Sequence, residues 1–208
     1  MNAIQEESSM DFMNDNFPKS CHVCLIYDSD THRHKIITEY VAAGLLRNEL
    51  VRYMTDGTAP EHIRSWFLET GVDVPRAEEK GLFSIINADT TYCPGGRFDP
   101  RGMIARQMQR YQDAEKAGYA GTRASGEMTW VFRGIPGSER LLEYEALLNT
   151  INTTFPHSGM CQYDARRFDG ATLYKILQVH PYVIANGQIV KNPYYVKPEE
   201  FLAGLRRT

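Results

Sequence analysis

The sequence predicts an α/β fold: three layers, a mainly parallel sheet with helices on both faces, and a C-terminal antiparallel hairpin. Three observations carry this. Short apolar runs alternate with helix-period segments of ten or more residues along most of the chain. The first run, His22 to Tyr27, is short and apolar, as suits a strand covered on both faces. The last two runs, Tyr182 to Ala185 and Gln188 to Lys191, are joined by Asn186-Gly187, a strong hairpin signal.

Taken in order, His22 to Tyr27 (HVCLIY) reads as a buried strand that stops at Asp28-Ser29-Asp30. Ile37, Tyr40, Val41, Gly44 and Leu45 then recur on one helix face, with Asp30 or Thr31 expected as the cap. Leu50 to Met54 is a second strand. Pro60 opens a helix with Ile63, Trp66 and Phe67 inward, and Gly71 ends it. Leu82 to Ile86 is a third strand, and a helix near Arg101 to Ala117 presents Ile104, Met108 and Tyr111 before Gly118. Met128 to Phe132 reads as a strand, followed by the stripe Leu141, Tyr144, Leu148 and Ile151. Met160 to Tyr163 is another strand, and Leu173, Ile176 and Leu177 mark the next helix. Pro198 to Thr208 is a short helix-like tail. The first sixteen residues carry four acids and no Lys or Arg, so they predict a mobile tail ahead of one domain over 17–208.

With 23 Lys plus Arg against 26 Asp plus Glu, the net charge of -3 gives no footprint for nucleic acid or an anionic membrane. No signal peptide or spanning segment is evident, which predicts a cytoplasmic protein. Four cysteines are too sparse for a disulfide scaffold. Cys21 and Cys24 form a lone C-x-x-C. In an extended segment they point to opposite faces while His22 and Cys24 share one, so packing as small hydrophobes is the expectation.

In an open α/β sheet, ligands sit at the carboxyl ends of the strands. At the first such end, residues 29–36 match the phosphate-loop pattern G-x-x-x-x-G-K-[ST] only at Lys35; Ser29, His34 and Ile36 replace its glycines and hydroxyl, and Asp28 and Asp30 repel phosphate. Asp28, Asp30, His32 and His34 could be read as metal ligands, but their alternation scatters them around a helix turn. No metal site and no cofactor is therefore expected. The loop TTYCPGGRFDP is long, and Tyr92 and Phe98 flanking the Gly95-Gly96 hinge suit a lid over an apolar guest. Neither a Gly-x-Ser-x-Gly elbow nor a His-Glu-x-x-His helix occurs, so catalysis has no positive sign. Aromatic and polar residues gather late in the chain, at Glu127, Trp130, Tyr163, Asp164, Arg166, His180, Asn192, Tyr194 and Tyr195, as a small-ligand pocket requires.

The segments HVCLIYDSD, YVAAGLLRNELVRYMTD, GEMTWVFRG, LLEYEALLN, CQYDARRFDG and HPYVIANGQIVKNPYY together resemble the MEDS domain, the sensory domain of methanogens and methylotrophs described in the dichloromethane-responsive repressor. The resemblance spans about His22 to Tyr195. In layout the chain is also similar to RecA-type and circadian-clock-type P-loop ATPase domains, with the phosphate loop degraded. It implies a non-enzymatic sensor of a simple hydrocarbon derivative, acting in signal transduction or transcription regulation. By position, the family's characteristic residues fall on His22, Tyr27, Glu127, Trp130, Cys161, Tyr163, Asp164, His180, Asn192, Pro193 and Tyr194.

The expected pocket is lined by Tyr27, Trp130, Tyr163 and Tyr195, with Glu127, Asp164, Arg166 and His180 orienting the ligand. The partner would be a separate kinase, anti-sigma or DNA-binding module, unless the chain is a fragment of a larger protein. Other readings are a nucleotide-binding module around His32 to Lys35, a protein-binding or homo-oligomeric scaffold, and metal or redox sensing through Cys24, Cys161 and the histidines.

Overall fold

Seven strands, β1 (Ser20–Tyr27), β2 (Glu49–Thr55), β3 (Phe83–Asn87), β4 (Gly121–Glu127), β5 (His157–Asp164), β6 (Tyr182–Ala185) and β7 (Gln188–Lys191), join in one sheet of order β3-β2-β4-β5-β1-β6-β7. The computed structural model describes residues 12, 18, 20–68, 71–151, 153–185 and 187–205. Every strand pair is parallel except β6–β7, and β1 runs beside β5 in the register Ser20 opposite His157 through Tyr27 opposite Asp164. The helices are α1 (Asp30–Leu46), α2 (Pro60–Ser65), α3 (Val74–Glu79), α4 (Ala88–Tyr92), α5 (Pro100–Lys116), α6 (Leu141–Leu148), α7 (Gly170–Gln178) and α8 (Pro198–Leu205).

Alternation along β1 sorts the core into two layers. Cys21, Val23, Leu25 and Tyr27 join residues of α1, α2 and α3 on one face. Cys24, Cys161 and Tyr163 join residues of α4, α5, α6 and α7 on the other. Both faces are covered, which explains why a run such as HVCLIY lacks polar alternation.

The structure corrects several boundaries. Met128 to Phe132 is no strand: Met128–Arg133 is a 3-10 segment, closed by Gly134 in the left-handed region. The strand is the preceding Gly121–Glu127, so the carboxyl end of this strand is at Glu127, five residues earlier than expected. The cap of α1 is Ser29, whose Oγ accepts from the His32 amide at 3.4 Å, one residue ahead of the expected Asp30 and two ahead of Thr31. The long loop is partly helical, since α4 takes up its start, and α3 carries no signal used above.

Gly187 has φ +74, as the hairpin turn needs, while Asn186 lies outside the described residues. Of the N-terminal sixteen, only Phe12 is described; it is buried edge-on against Tyr40 at 5.3 Å. The last three residues of the helix-like tail, 206–208, also lie outside them. Among the described residues, no helix is long and apolar enough to cross a membrane.

Candidate functional site

At the carboxyl ends of β1, β2, β4 and β5, the crevice is filled by the chain's own side chains. Helix α1 leaves Lys35 exposed and turns Arg33 inward. The Arg33 guanidinium donates to Glu127 (2.5 Å), Tyr53 Oη (2.7 Å) and Gln162 Oε1 (2.7 Å), and lies over the Tyr27 and Trp66 rings. Glu127 also accepts from Tyr53 Oη and from the amides of Asp56 and Gly57. Burial opposes its charge, but Arg33, these amides and Tyr53 outweigh that and hold the carboxyl below the usual range.

Burial pushes the Tyr27 hydroxyl up to about 12, with Arg33 opposing. At the rim, Arg166 bridges Asp164 (2.8 Å) to Asp30 (3.1 Å), fastening the end of β5 to the start of α1. Asp28 and His32 are exposed, and His34 stacks on Trp66 at 3.9 Å; the Asp28, Asp30, His32, His34 set is not gathered.

A second polar constellation lies inside the opposite layer. His22 on β1 and Cys161 on the adjacent β5 lie two register positions apart on the same face, and His180 follows α7. Glu145 of α6, absent from the sequence reading, completes the group. His22 Nε2 is 2.9 Å from Glu145 Oε2, Cys161 Sγ is 3.4 Å from both, and His180 Nε2 is 3.5 Å from Glu145 Oε2. All four donor atoms lie within 4.8 Å of one another, and all four residues are buried.

Tyr163 donates to Glu145 Oε1 at 2.8 Å. Burial, with the neighbouring His22, pushes the His180 imidazole down to about 3, so it is neutral at physiological pH. Burial drives the Cys161 thiol well above its ordinary value, which makes it inert as a free nucleophile. Asn192 braces this corner: its Nδ2 donates to the carbonyls of Leu177 (2.6 Å) and His180 (2.8 Å), and its Oδ1 accepts from the Tyr194 amide.

Beside His22 opens a cavity of about 250 Å³, at the amino ends of β1 and β5. Tyr111, Leu148, Ile151, Tyr182 and Tyr195 supply its apolar walls, while His22, Asn149 and His157 bring polar atoms. Burial lowers the His157 pKa, which favours its neutral imidazole. Gly159, opposite His22 in the register, contributes room: a Cβ there would meet nothing within 4 Å.

The expected site residues therefore fall in five places. Tyr27, Glu127, Asp164 and Arg166 share the crevice; His22, Cys161, Tyr163 and His180 share the interior cluster. Tyr195 reaches the cavity, and Asn192 is a brace. Trp130 belongs to the core, with Tyr92 stacked on it at 5.1 Å and Phe98 at 4.8 Å, and its Nε1 makes no hydrogen bond. Both aromatic residues of the expected lid are thus closed on Trp130, and Gly95 and Gly96, at φ +75 and +76, are exposed between them. Exposed Tyr194 lies edge-on to Tyr174.

Glu145 did carry a signal. It stands four residues after Leu141 and three before Leu148, an acid inside the apolar stripe of α6.

A family model described as MEDS, the methanogen/methylotroph, DcmR sensory domain, matches residues 21–181. No curated protein sequence matches the chain. Among solved structures, the chain is similar to the KaiC-like protein PH0186 from Pyrococcus horikoshii OT3, at 15% identity and TM-score 0.54, over 80% of this chain and 71% of that one. It is also similar to the flagellar accessory protein FlaH from Methanocaldococcus jannaschii, at 9% identity and TM-score 0.54, over 81% and 74%. A third is the uncharacterized protein PH0321 from Pyrococcus horikoshii, crystallised with an unknown peptide, at 15% identity and TM-score 0.57, over 78% and 76%. At these identities the likeness is one of fold: a RecA-like sheet with an added antiparallel pair at its edge.

Proposed function

Because the chain belongs to the MEDS family of sensory domains, we propose that it is a non-enzymatic sensor that takes a small, weakly polar organic compound, a simple hydrocarbon derivative, into the cavity beside His22. The observation that carries this reading is the cavity itself. Its roughly 250 Å³ exceeds the ~150 Å³ that suffices for benzene. Aromatic and aliphatic walls with a few polar atoms suit a compound with one polar group.

The site differs in place from the carboxyl-end crevice expected of the fold, where Arg33 and Glu127 are committed to each other. That commitment also weighs against the nucleotide-binding reading, since Arg33, the cation turned inward at the start of α1, is already occupied. Signalling needs a segment that the ligand favours in one arrangement. Tyr182 and Tyr195 flank the edge hairpin and line the cavity, so ligand contact there biases the hairpin and the chain leading to α8. A separate kinase, anti-sigma or DNA-binding protein would read that change.

The test is thermal shift of the wild type and of Gly159→Val against one-carbon compounds, short alcohols, methylamines and halomethanes. The valine projects into open space, so the unliganded melting temperature is expected to hold while the cavity shrinks. One compound class should stabilise the wild type saturably, by about 2.7 kcal/mol at a hundredfold excess over Kd, and Gly159→Val should lose that response. An undiminished response in Gly159→Val overturns the cavity assignment.

A further inference from the structure

We infer that His22 Nε2, Glu145 Oε2, Cys161 Sγ and His180 Nε2 form a divalent metal site of the zinc class, buried between β1, β5, α6 and the end of α7. The inference goes beyond the sensing reading and stands independently of any organic ligand. Its first support is geometry. A tetrahedral ion with bonds of about 2.0 to 2.3 Å separates its ligand atoms by roughly 3.3 to 3.8 Å. Four of the six separations, at 2.9, 3.4, 3.4 and 3.5 Å, lie near that range, and the other two stay within 4.8 Å, so a small contraction of the group completes the shell.

Its second support is the orientation of the imidazoles. His180 Nδ1 lies 2.7 Å from the Ile176 carbonyl, which can only accept, so Nδ1 carries the proton and Nε2 turns a lone pair inward. That Nε2 is fully buried, makes no hydrogen bond, and faces a carboxylate oxygen. Two acceptors in a buried site repel unless a cation lies between them.

His22 repeats the pattern. Asn149 Nδ2 is spent on the carbonyls of Glu145 and Val179, so its Oδ1 faces His22 Nδ1 at 3.2 Å and accepts its proton. With Nδ1 turned to Asn149, His22 Nε2 is the ring nitrogen aimed at the centre. Imidazoles whose outer nitrogens donate to a carbonyl or amide oxygen are held as metal ligands are held.

Charge gives the third support. Among the described residues, the side chains against the Glu145 carboxylate are His22, Cys161, Tyr163 and His180, with no Lys or Arg bonded to it. On binding, the Cys161 thiol releases its proton to solvent and becomes thiolate. The 2+ ion with one carboxylate, one thiolate and two neutral imidazoles sums to zero, which a site without water requires. Two nitrogens, a thiolate and one carboxylate oxygen select zinc over calcium or magnesium.

The test is to strip the full chain with chelator and titrate it with cobalt(II) and with zinc, reading bound metal by mass spectrometry and the cobalt d–d and thiolate charge-transfer absorption. The wild type is expected to take about one equivalent and to show the thiolate band. Cys161→Ser should lose the band, whereas Cys24→Ala, a buried cysteine of the same layer outside the set, should keep it. Asn149→Ala should keep the band but bind about 10- to 100-fold more weakly, the mark of a positioning residue. A folded wild type that shows no thiolate band, or a folded Cys161→Ser that keeps it, overturns the inference. If the substituted chains do not fold, the wild-type spectrum decides alone. No organic compound enters this experiment, so its failure and that of the cavity reading are separable.

Discussion

Replacing Glu127 by Ala removes the anion that holds the crevice together. Arg33 is left with Tyr53 and Gln162 as partners and a guanidinium whose side chain is only 7% exposed. Removing one member of a buried ion pair costs about 3 to 5 kcal/mol, because the survivor stays desolvated without compensation. For a chain of this size each kcal/mol moves the melting temperature by about 2 to 4 °C, so a fall of roughly 6 to 20 °C is expected.

The double variant Arg33→Met, Glu127→Ala removes both charges and should recover a large part of that loss, leaving a non-additive cycle. Thermal melts and urea titrations of the four proteins measure it. A Glu127→Ala loss below about 1 kcal/mol, or strictly additive single losses, would refute the claim that the pair closes the crevice.

The same residue fixes a pH dependence. Its folded pKa is depressed, so its contribution is fully present above the unfolded value of about 4.3 and disappears as pH falls through the lower folded value. The gap in stability between wild type and Glu127→Gln should therefore be level above about pH 5 and narrow below it.

Two further substitutions probe the supports of the site. Gly137 has φ +92, and a Cβ there would come 2.2 Å from the Phe98 carbonyl oxygen, so Gly137→Ala should destabilise by roughly 2 to 5 kcal/mol in urea titration, with a loss under about 1 kcal/mol counting against this packing. Asn192→Ala strips three backbone hydrogen bonds from the corner that positions His180, and should cost about 2 kcal/mol and speed hydrogen exchange of the Tyr194 amide; unchanged exchange would mean that the brace is idle.

Periodicity made most of the architecture legible, because β1 and α1 announce themselves through one buried run and one apolar stripe. The failure at Met128–Arg133 is instructive. MTWVF is rich in strand formers, yet Trp130 is needed under Tyr92 and Phe98, and the chain coils to put it there. The true strand, GTRASGE, looks unlike one because Arg123, Ser125 and Glu127 find partners in the buried layer, while Gly126 leaves room for the Tyr92 hydroxyl.

Of the interior cluster, His22, Cys161, Tyr163 and His180 were legible and Glu145 was overlooked. The placement of the cavity was not legible, since it depends on the side chain missing at Gly159 and on where the edge hairpin brings Tyr195. The fold rule pointed to the opposite end of the sheet, where Arg33 fills the gap.

The alternation of β5 has a genetic consequence. Cys161 and Tyr163 face the four-residue cluster, while the intervening Gln162 faces Arg33. A point substitution at one of these positions reaches one network and spares the other, so each can drift in sequence without its neighbour. Insertion or deletion of a single residue in this strand inverts every side chain beyond it and exchanges the two environments together. Members of a lineage should accordingly change single residues along His157–Asp164 long before they change its length.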